Sequence, residues 1–457
     1  MKFTKIWFYF VIGFFAIWFI GASVLLINSS QELIFYYSLY VLLGMVIIFL
    51  SRRDIFSPPG LFVIACFQAF GMNIPFFAAG YLSTTGITQN VLFTGNASMG
   101  DGTLVKMMVI LLLAELGFIV GYLLPLYKLI PLNRVLNTNI PTKRVSIFSF
   151  FVLLFIVIVA GFIRIQFHLG EAGIQPTIQM AGYLQYVLYN GVLLLCLYYL
   201  SQGMRQGSLF TFLGLTLILA VAGTQVLLSW RGGIVYVLIT IFFIFWNNQI
   251  QYKEKKMHPL VWFLCLIILV PSFIQYGNTI RAERLGGESI FATSKEDFVL
   301  NILNRSQGST RLAVVVNDIG PLTFTHGFMF IDLFKNNMTA TRYIDQKLYG
   351  VLTNQSNSFG TSGPGGPYVA FGLLGVMLAF ALYGALYRSG YECMKNANKD
   401  NVLGIVWYGM TALLLFDILS ENLNISNIKL LIALSGMMYI FGRLFLLRRP
   451  SLIQSKL

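Results

Sequence analysis

The chain has 457 residues, of which 57% are hydrophobic and 11% charged, and its mean hydropathy is +0.75. So few charges cannot cover a water-soluble surface, and the composition points to a polytopic membrane protein. A net charge of +14 and a pI near 9.5 would suit a nucleic-acid binder, but the basic residues sit in short loops between apolar runs, where they report topology.

A bilayer core takes about 20 apolar residues per helix. About twelve such runs follow one another, near 7–27, 33–50, 60–80, 104–127, 145–163, 181–200, 208–227, 232–247, 258–276, 367–388, 403–420 and 428–447. The first is longer than the core of a secretory signal and a second follows at once, so it reads as a retained helix with no soluble domain before it. None is expected after the last span either.

Lysine and arginine concentrate in cytoplasmic loops, and here they alternate loop by loop. Lys2 and Lys5 precede span one, Arg52 and Arg53 follow span two, and Lys128, Arg134, Lys143 and Arg144 follow span four. Arg205 follows span six and Lys253, Lys255 and Lys256 follow span eight. Arg388, Lys395 and Lys399 follow span ten, and Arg448, Arg449 and Lys456 close the chain. All fall on one side, which places both termini in the cytoplasm, while the intervening loop at 81–103 has no lysine or arginine. The expected fold is therefore an all-α integral membrane protein of about twelve transmembrane helices. A large extracytoplasmic loop containing short amphipathic helices completes it. The segments are spans one to nine at 1–276, the loop at 277–366, and spans ten to twelve with a cytoplasmic tail at 367–457.

Cys66, Cys196, Cys265 and Cys393 lie in spans or on the cytoplasmic side, so no disulfide framework is expected, and their spacing is not that of a zinc site. No metal and no cofactor is called for.

The informative charges are arginines on the outer side, where insertion does not require them. Arg164 follows span five, Arg231 lies between spans seven and eight, and Arg281, Arg284, Arg305 and Arg311 lie in the large loop. A guanidinium forks two donors onto phosphate oxygens and stays charged, which suits a diphosphate at a membrane surface. The competing reading pairs them with Glu171, Glu283, Glu288, Asp318 or lipid headgroups. Arg231 is the sharpest case, because Ser229-Trp230-Arg231-Gly232-Gly233 leaves little room between two apolar runs and its glycines admit a close ligand. Arg164 is followed four residues later by His168, within reach on one helical face, either as a ligand pair or as an interfacial anchor.

Within the large loop, 301–318 alternates apolar and polar residues as a helix on or in the membrane surface would. Arg305 and Arg311 are six apart and converge only if the helix breaks near Gly308. Residues 323–334 read as a second interfacial helix or lid, with His326 and Asp332 as its titratable groups. The run 354–368, with Asn357, Ser358 and Tyr368, is too rich in glycine, proline and hydrogen-bonding side chains for regular structure. It reads as a sugar-binding rim or as a plain loop. Ionisable residues inside spans are Lys106, Glu115, Asp417, Lys429 and Arg443, functional by default unless they join helices. Asp417 and Glu421 share a helical face beside Asn422, Asn424 and Asn427, an edge of the same outer site.

The late outer loop, the glycine-flanked Arg231, the Asn357-Ser358-Phe359 run leading to Phe371-Gly372-Leu373-Leu374-Gly375, and the acidic turn at Glu421 together resemble the O-antigen and oligosaccharide repeat-unit polymerases (Wzy-like). The likeness of layout covers most of the chain. Arg164 and Arg311 are each followed by a glycine nine positions on, a departure from the Arg-X10-Gly pattern of some members. The resemblance implies a multi-pass glycosyltransferase of the bacterial cytoplasmic membrane that joins undecaprenyl-diphosphate-linked repeat units, for O-antigen, capsule or another exopolysaccharide. Donor and acceptor would both be lipid-linked glycans, membrane lipids would surround them, and a chain-length regulator is a candidate partner. Such a reaction needs charge stabilisation at the leaving diphosphate, for which Arg231, Arg281, Arg284, Arg305, Arg311 and Arg164 are the candidates. It also has use for a base, for which His326, Asp318 and Glu421 are candidates. A ligase transferring finished chains shares this layout. A lipid-linked oligosaccharide flippase has as many spans, but this chain shows no two similar halves about a central basic loop.

Overall fold

The computed structural model describes residues 2–51, 57–80, 100–130, 145–169, 187–228, 308–319 and 362–395, with positions 132, 184–185, 237, 241, 404, 407–409, 411 and 435–437. These residues are mostly helical. Eight helices are long and apolar enough to cross a membrane: Phe8–Leu25, Gln31–Leu50, Pro58–Ala78, Asp101–Leu123, Ile147–Gln166, Val187–Met204, Ser208–Gln225 and Gly365–Lys395. The first seven expected spans and the tenth fall on these helices. The other four expected spans, at 232–247, 258–276, 403–420 and 428–447, lie almost wholly outside the described residues. Faces turned away from the packing display phenylalanine rather than charge: Phe148, Phe151, Phe155 and Phe162 of one helix are all more than 60% exposed. A bilayer, and not water, is the solvent for such a face.

The chain packs as two units. The first takes Met1–Ile130, Thr293–Ser389 and Ala412–Lys429, and the second takes Pro131–Ala292, Gly390–Thr411 and Leu430–Leu457. These packing units cut across the three consecutive segments read from the sequence, because residues far along the chain return to pack on the first four spans.

In the first unit, α1 (Lys2–Leu25), α2 (Gln31–Leu50), α3 (Pro58–Cys66) and α5 (Asp101–Leu123) are the main helices. Ser30 caps α2 through its hydroxyl, which accepts from the Leu33 amide, while the Ser30 amide donates to Asp101 Oδ2 at 2.6 Å. One carboxylate at the α5 N-terminus thereby anchors the α1–α2 turn, where negative charge is favoured. Pro58 and Pro59 start α3, where missing amides have no helical acceptor to lose. After Cys66 the ladder loosens into a π turn, Phe67–Gly71, before the short α4 (Ile74–Ala78). The freed Gly71 carbonyl accepts from the Tyr37 hydroxyl at 2.9 Å, and that hydroxyl accepts from Trp18 Nε1 at 3.0 Å, so one chain of bonds joins α1, α2 and the π turn.

The last long helix, α10 (Gly365–Lys395), gives its residues through Ser389 to the first unit. It crosses α5 at backbone contact. A Cβ on Gly117 would strike the backbone of Met377, one on Gly121 that of Ala381, and one on Gly384 that of Phe118. Gly117 and Gly121 are four apart, so both lie on one face, the small-residue spacing that lets apolar helices approach closely without a hydrophobic driving force. Beside the crossing, the Phe62 and Phe118 rings stack at 3.9 Å. At the far end, Arg388 Nη1 donates to the carbonyls of Tyr122 and Leu123, and its guanidinium lies 4.2 Å from the Tyr127 ring centroid. An arginine that reads as a topology signal in the sequence thus also caps α5.

In the second unit, α6 (Ile147–Gln166) opens with a capping box between Ser146 and Ser149. A π turn (Val187–Gly191) leads into α7 (Val192–Gln206), and α8 (Ser208–Leu227) folds back across Gly207, whose φ of 141° favours glycine. Gly203 against the Phe210 carbonyl and Gly214 against Leu200 let α7 and α8 close together. Gly161 of α6 rests on Thr224 of α8. Elsewhere in this unit Trp407 fills the space above Gly390 and donates to Ser435 Oγ at 2.9 Å.

Gly121→Leu is predicted to abolish the monodisperse folded protein in detergent, because insertion against backbone costs at least ~1–3 kcal/mol and Ala381 cannot swing aside. Gly21→Leu, with nothing within 4 Å, should leave the elution profile and melting temperature unchanged. Equal behaviour of the two variants would mean the close crossing does not hold the unit together.

Candidate functional site

Two places in the described residues break the pattern of apolar helices, one in each unit. In the first unit the break gathers three stretches of irregular backbone. The short helix α9 (Gly308–Val314), continuing as a π turn Val315–Ile319, comes from the segment that the basic-loop pattern assigns to the outer side. The described part of that segment is helical, as the apolar–polar pattern of 301–318 suggests, while Arg305 lies outside the described residues. It does not stand alone at a surface: Leu312, Ala313 and Val315 are fully buried within the unit.

Its docking has a specific cause. A π turn leaves a carbonyl without its ordinary helical donor, and Ala69 lies in one. Ser309 Oγ donates to that carbonyl at 2.9 Å, and Gly308 lies so close to the same oxygen and the Phe70 ring that a Cβ there would sit 3.1 Å from each. At the other end of the segment Thr103 Oγ1 meets Asn317 Oδ1 at 2.6 Å, fixing it to the start of α5.

On α9's neighbouring side stands the glycine-rich entry to α10. Gly365 packs against Val315, and its amide donates to Ser362 Oγ at 3.3 Å. Ser362 is buried with φ of 65°, a left-handed conformation unusual for serine. The helix then breaks at Phe371 and Gly372, the latter at φ 64° and ψ −154°, which only glycine adopts readily. Gly375 completes the break, since a Cβ there would meet the Pro367 carbonyl and the Phe371 Cβ. Phe371-Gly372-Leu373-Leu374-Gly375 is thus a helix-breaking device. Of the predicted site residues, Arg311 sits on α9, partly exposed, and Tyr368 in the first turn of α10. Asp318 lies in the π turn after α9. The packing of Gly365 on Val315 brings those elements side by side.

The second place is Arg164, in the last turn of α6 and 2% exposed. Nη2 donates to Gln225 Oε1 of α8 at 3.1 Å, and the guanidinium lies 5.1 Å from the centroid of the Tyr189 ring. Arg164 Nε and Gln225 Nε2 have no partner, and no carboxylate pairs with Arg164 among the described residues. The expected one-face relation to His168 is not met: α6 ends at Gln166, Leu169 N bonds back to the Arg164 carbonyl at 2.8 Å, and His168 takes φ of 55°. In the first unit the carboxyl of Glu115 is also buried, 1% exposed beside Gly44 with Oε2 unpartnered.

Arg231, Arg281, Arg284, Arg305, His326, Asn357, Ser358 and Glu421 lie outside the described residues. Gln225 and Tyr189, the partners of Arg164, are residues that sequence reasoning did not single out. The signal for Gln225 was an amide inside the apolar run of α8, where a polar side chain needs a partner. Among the described residues no three His, Cys, Asp or Glu side chains are grouped to hold a metal ion. No family model, no curated protein and no solved structure matches the chain.

Proposed function

We propose that this chain is a glycosyltransferase of the outer face of the bacterial cytoplasmic membrane that joins undecaprenyl-diphosphate-linked repeat units into a surface polysaccharide. The observation that carries the reading is the assembly in the first unit. A segment of the long polar loop, bearing Arg311, is built into the helix packing against a broken helix that begins at a glycine-rich entry. Irregular backbone is tolerated inside a bilayer only where protein buries it or where it lines a cavity. A tether between spans would need neither the Ser309 contact nor the Gly372 break.

In the reaction, the acceptor hydroxyl oxygen forms a bond to the anomeric carbon of the donor chain. The bond from that carbon to the diphosphate breaks, its electron pair leaving with the diphosphate, and the hydroxyl proton passes to a base. Arg231, Arg281, Arg284, Arg305, Arg311 and Arg164 are proposed to hold the developing charge, since fixed cationic donors in a dry site stabilise it without reorganisation. His326, Asp318 and Glu421 are the proposed bases, and Asn357, Ser358 and Tyr368 the proposed sugar contacts. Cytoplasmic termini keep the long polar loop outside, where lipid-linked repeats are polymerised.

Purified protein in nanodiscs, given its own lipid-diphosphate-linked repeat unit, should produce a polymer ladder. Arg311→Ala and Arg231→Ala should each slow it by about 10²-fold or more, the usual loss on removing an oxyanion donor, while the protein stays folded. An intact wild type that makes no ladder from its cognate substrate would overturn the polymerase reading and turn attention to ligation or transport.

Gly372→Ala should also slow the ladder and lower the melting temperature, because a side chain at that φ and ψ costs about 1–3 kcal/mol. Unchanged rate and melting temperature would mean the break has no part in either.

A further inference from the structure

Arg164 has an unusual surrounding for a buried guanidinium. Its one hydrogen-bond partner is an amide oxygen, its aromatic neighbour offers a ring face, and no carboxylate pairs with it among the described residues. Gln225, 0% exposed, has its oxygen committed to Nη2, so the amide orientation is fixed and only its Nε2 hydrogens remain to act. That nitrogen and Arg164 Nε are both unpartnered. The pair therefore presents donors and a positive charge and no acceptor. A buried water would accept from the two donors but would leave a charge that no described carboxylate compensates.

The register is built into the helices. Gly161 touches Thr224 so closely that a Cβ would lie 2.7 Å from its methyl carbon, and one turn along α6 this approach sets Arg164 opposite Gln225. At the same end of α6 as Arg164, Ile165 and Phe167 are 41% and 37% exposed. A ligand reaching the donor pair from that end thus passes apolar side chains.

We infer that Arg164 and Gln225 form a two-donor subsite for one phosphate-type oxyanion carried on a lipid, with Tyr189 holding the plane of the guanidinium. Two donors and a fixed charge match the oxygens of a phosphate better than a lone lysine would. Gln225 acts as the second donor and as the positioning residue for Arg164. That the carrier is an isoprenyl diphosphate rests on the polymerase reading; the oxyanion site itself does not.

The full chain in nanodiscs of phosphatidylcholine is titrated with farnesyl diphosphate, inorganic pyrophosphate and phosphatidylglycerol, with Gln225→Glu and Gln225→Leu beside the wild type. Gln225→Glu gives Arg164 an internal carboxylate. It should weaken binding at least tenfold while the melting temperature holds or rises, so misfolding cannot explain the loss. Gln225→Leu should weaken it several-fold. Farnesyl diphosphate bound more tightly than inorganic pyrophosphate supports a lipid-borne ligand, and capture of phosphatidylglycerol alone would support the site with a headgroup as its source. No saturable binding by the wild type, equal binding by Gln225→Glu, or pyrophosphate as tight as farnesyl diphosphate would overturn the inference. Binding without ladders would sink the polymerase reading and leave this site standing; ladders with Gln225→Glu binding unchanged would do the reverse.

Discussion

A backbone carbonyl that loses its helical donor inside an apolar bundle must find another from within the protein, because hydrocarbon offers none. In the first unit this happens at the π turn Phe67–Gly71, and the two replacement donors organise what surrounds it. Tyr37 serves the Gly71 carbonyl and ties in α2 and, through Trp18, α1. Ser309 serves the Ala69 carbonyl, and with it a segment some 240 residues later in the chain is drawn into the first three spans. Once α9 is seated there, Val315 becomes the surface on which Gly365 rests, and the entry to α10 follows.

This dependence explains why the packing units do not follow chain order. Hydropathy divides the sequence into spans and a loop, and eight of those spans fall on long apolar helices. It carries no information about which late segment returns to which early one. The return is decided by glycines at Gly117, Gly121 and Gly384, where backbones touch, and by single hydroxyls such as Ser309. Such contacts are individually ordinary residues in the sequence, and only their partners make them decisive.

Much of the helical architecture was legible. Seven early spans and the tenth stand out by length and hydrophobicity alone. The glycine motif after Phe371 was visible as a motif, but its meaning as a kink required the backbone angles at Gly372. The π turn was hidden inside what read as one continuous span at 60–80, since no charge or pattern change marks a single slipped hydrogen bond. Arg164 stood out because it reads as an arginine on the outer side, where insertion does not require one. Gln225 and Tyr189 were missed because neither is charged, and their roles arise from α8 and the π turn meeting α6 in space.

The arginines themselves separate structural from functional charge. Arg388 gives Nη1 to two carbonyls at the end of α5 and rests on two tyrosine rings, so its hydrogen-bonding capacity serves the fold. Arg164 is held as firmly, yet among the described residues it keeps Nε unpartnered and makes its one hydrogen bond to a side chain that itself has a donor to spare. Leaving a buried donor unsatisfied costs about 1–3 kcal/mol, and an uncompensated charge adds more. A fold that can cap a helix with one arginine could bury a leucine in place of the other. Retaining a guanidinium there makes physical sense if an anion completes it, and the exposed apolar residues at that end of α6, Ile165 and Phe167, favour an anion that arrives on a lipid.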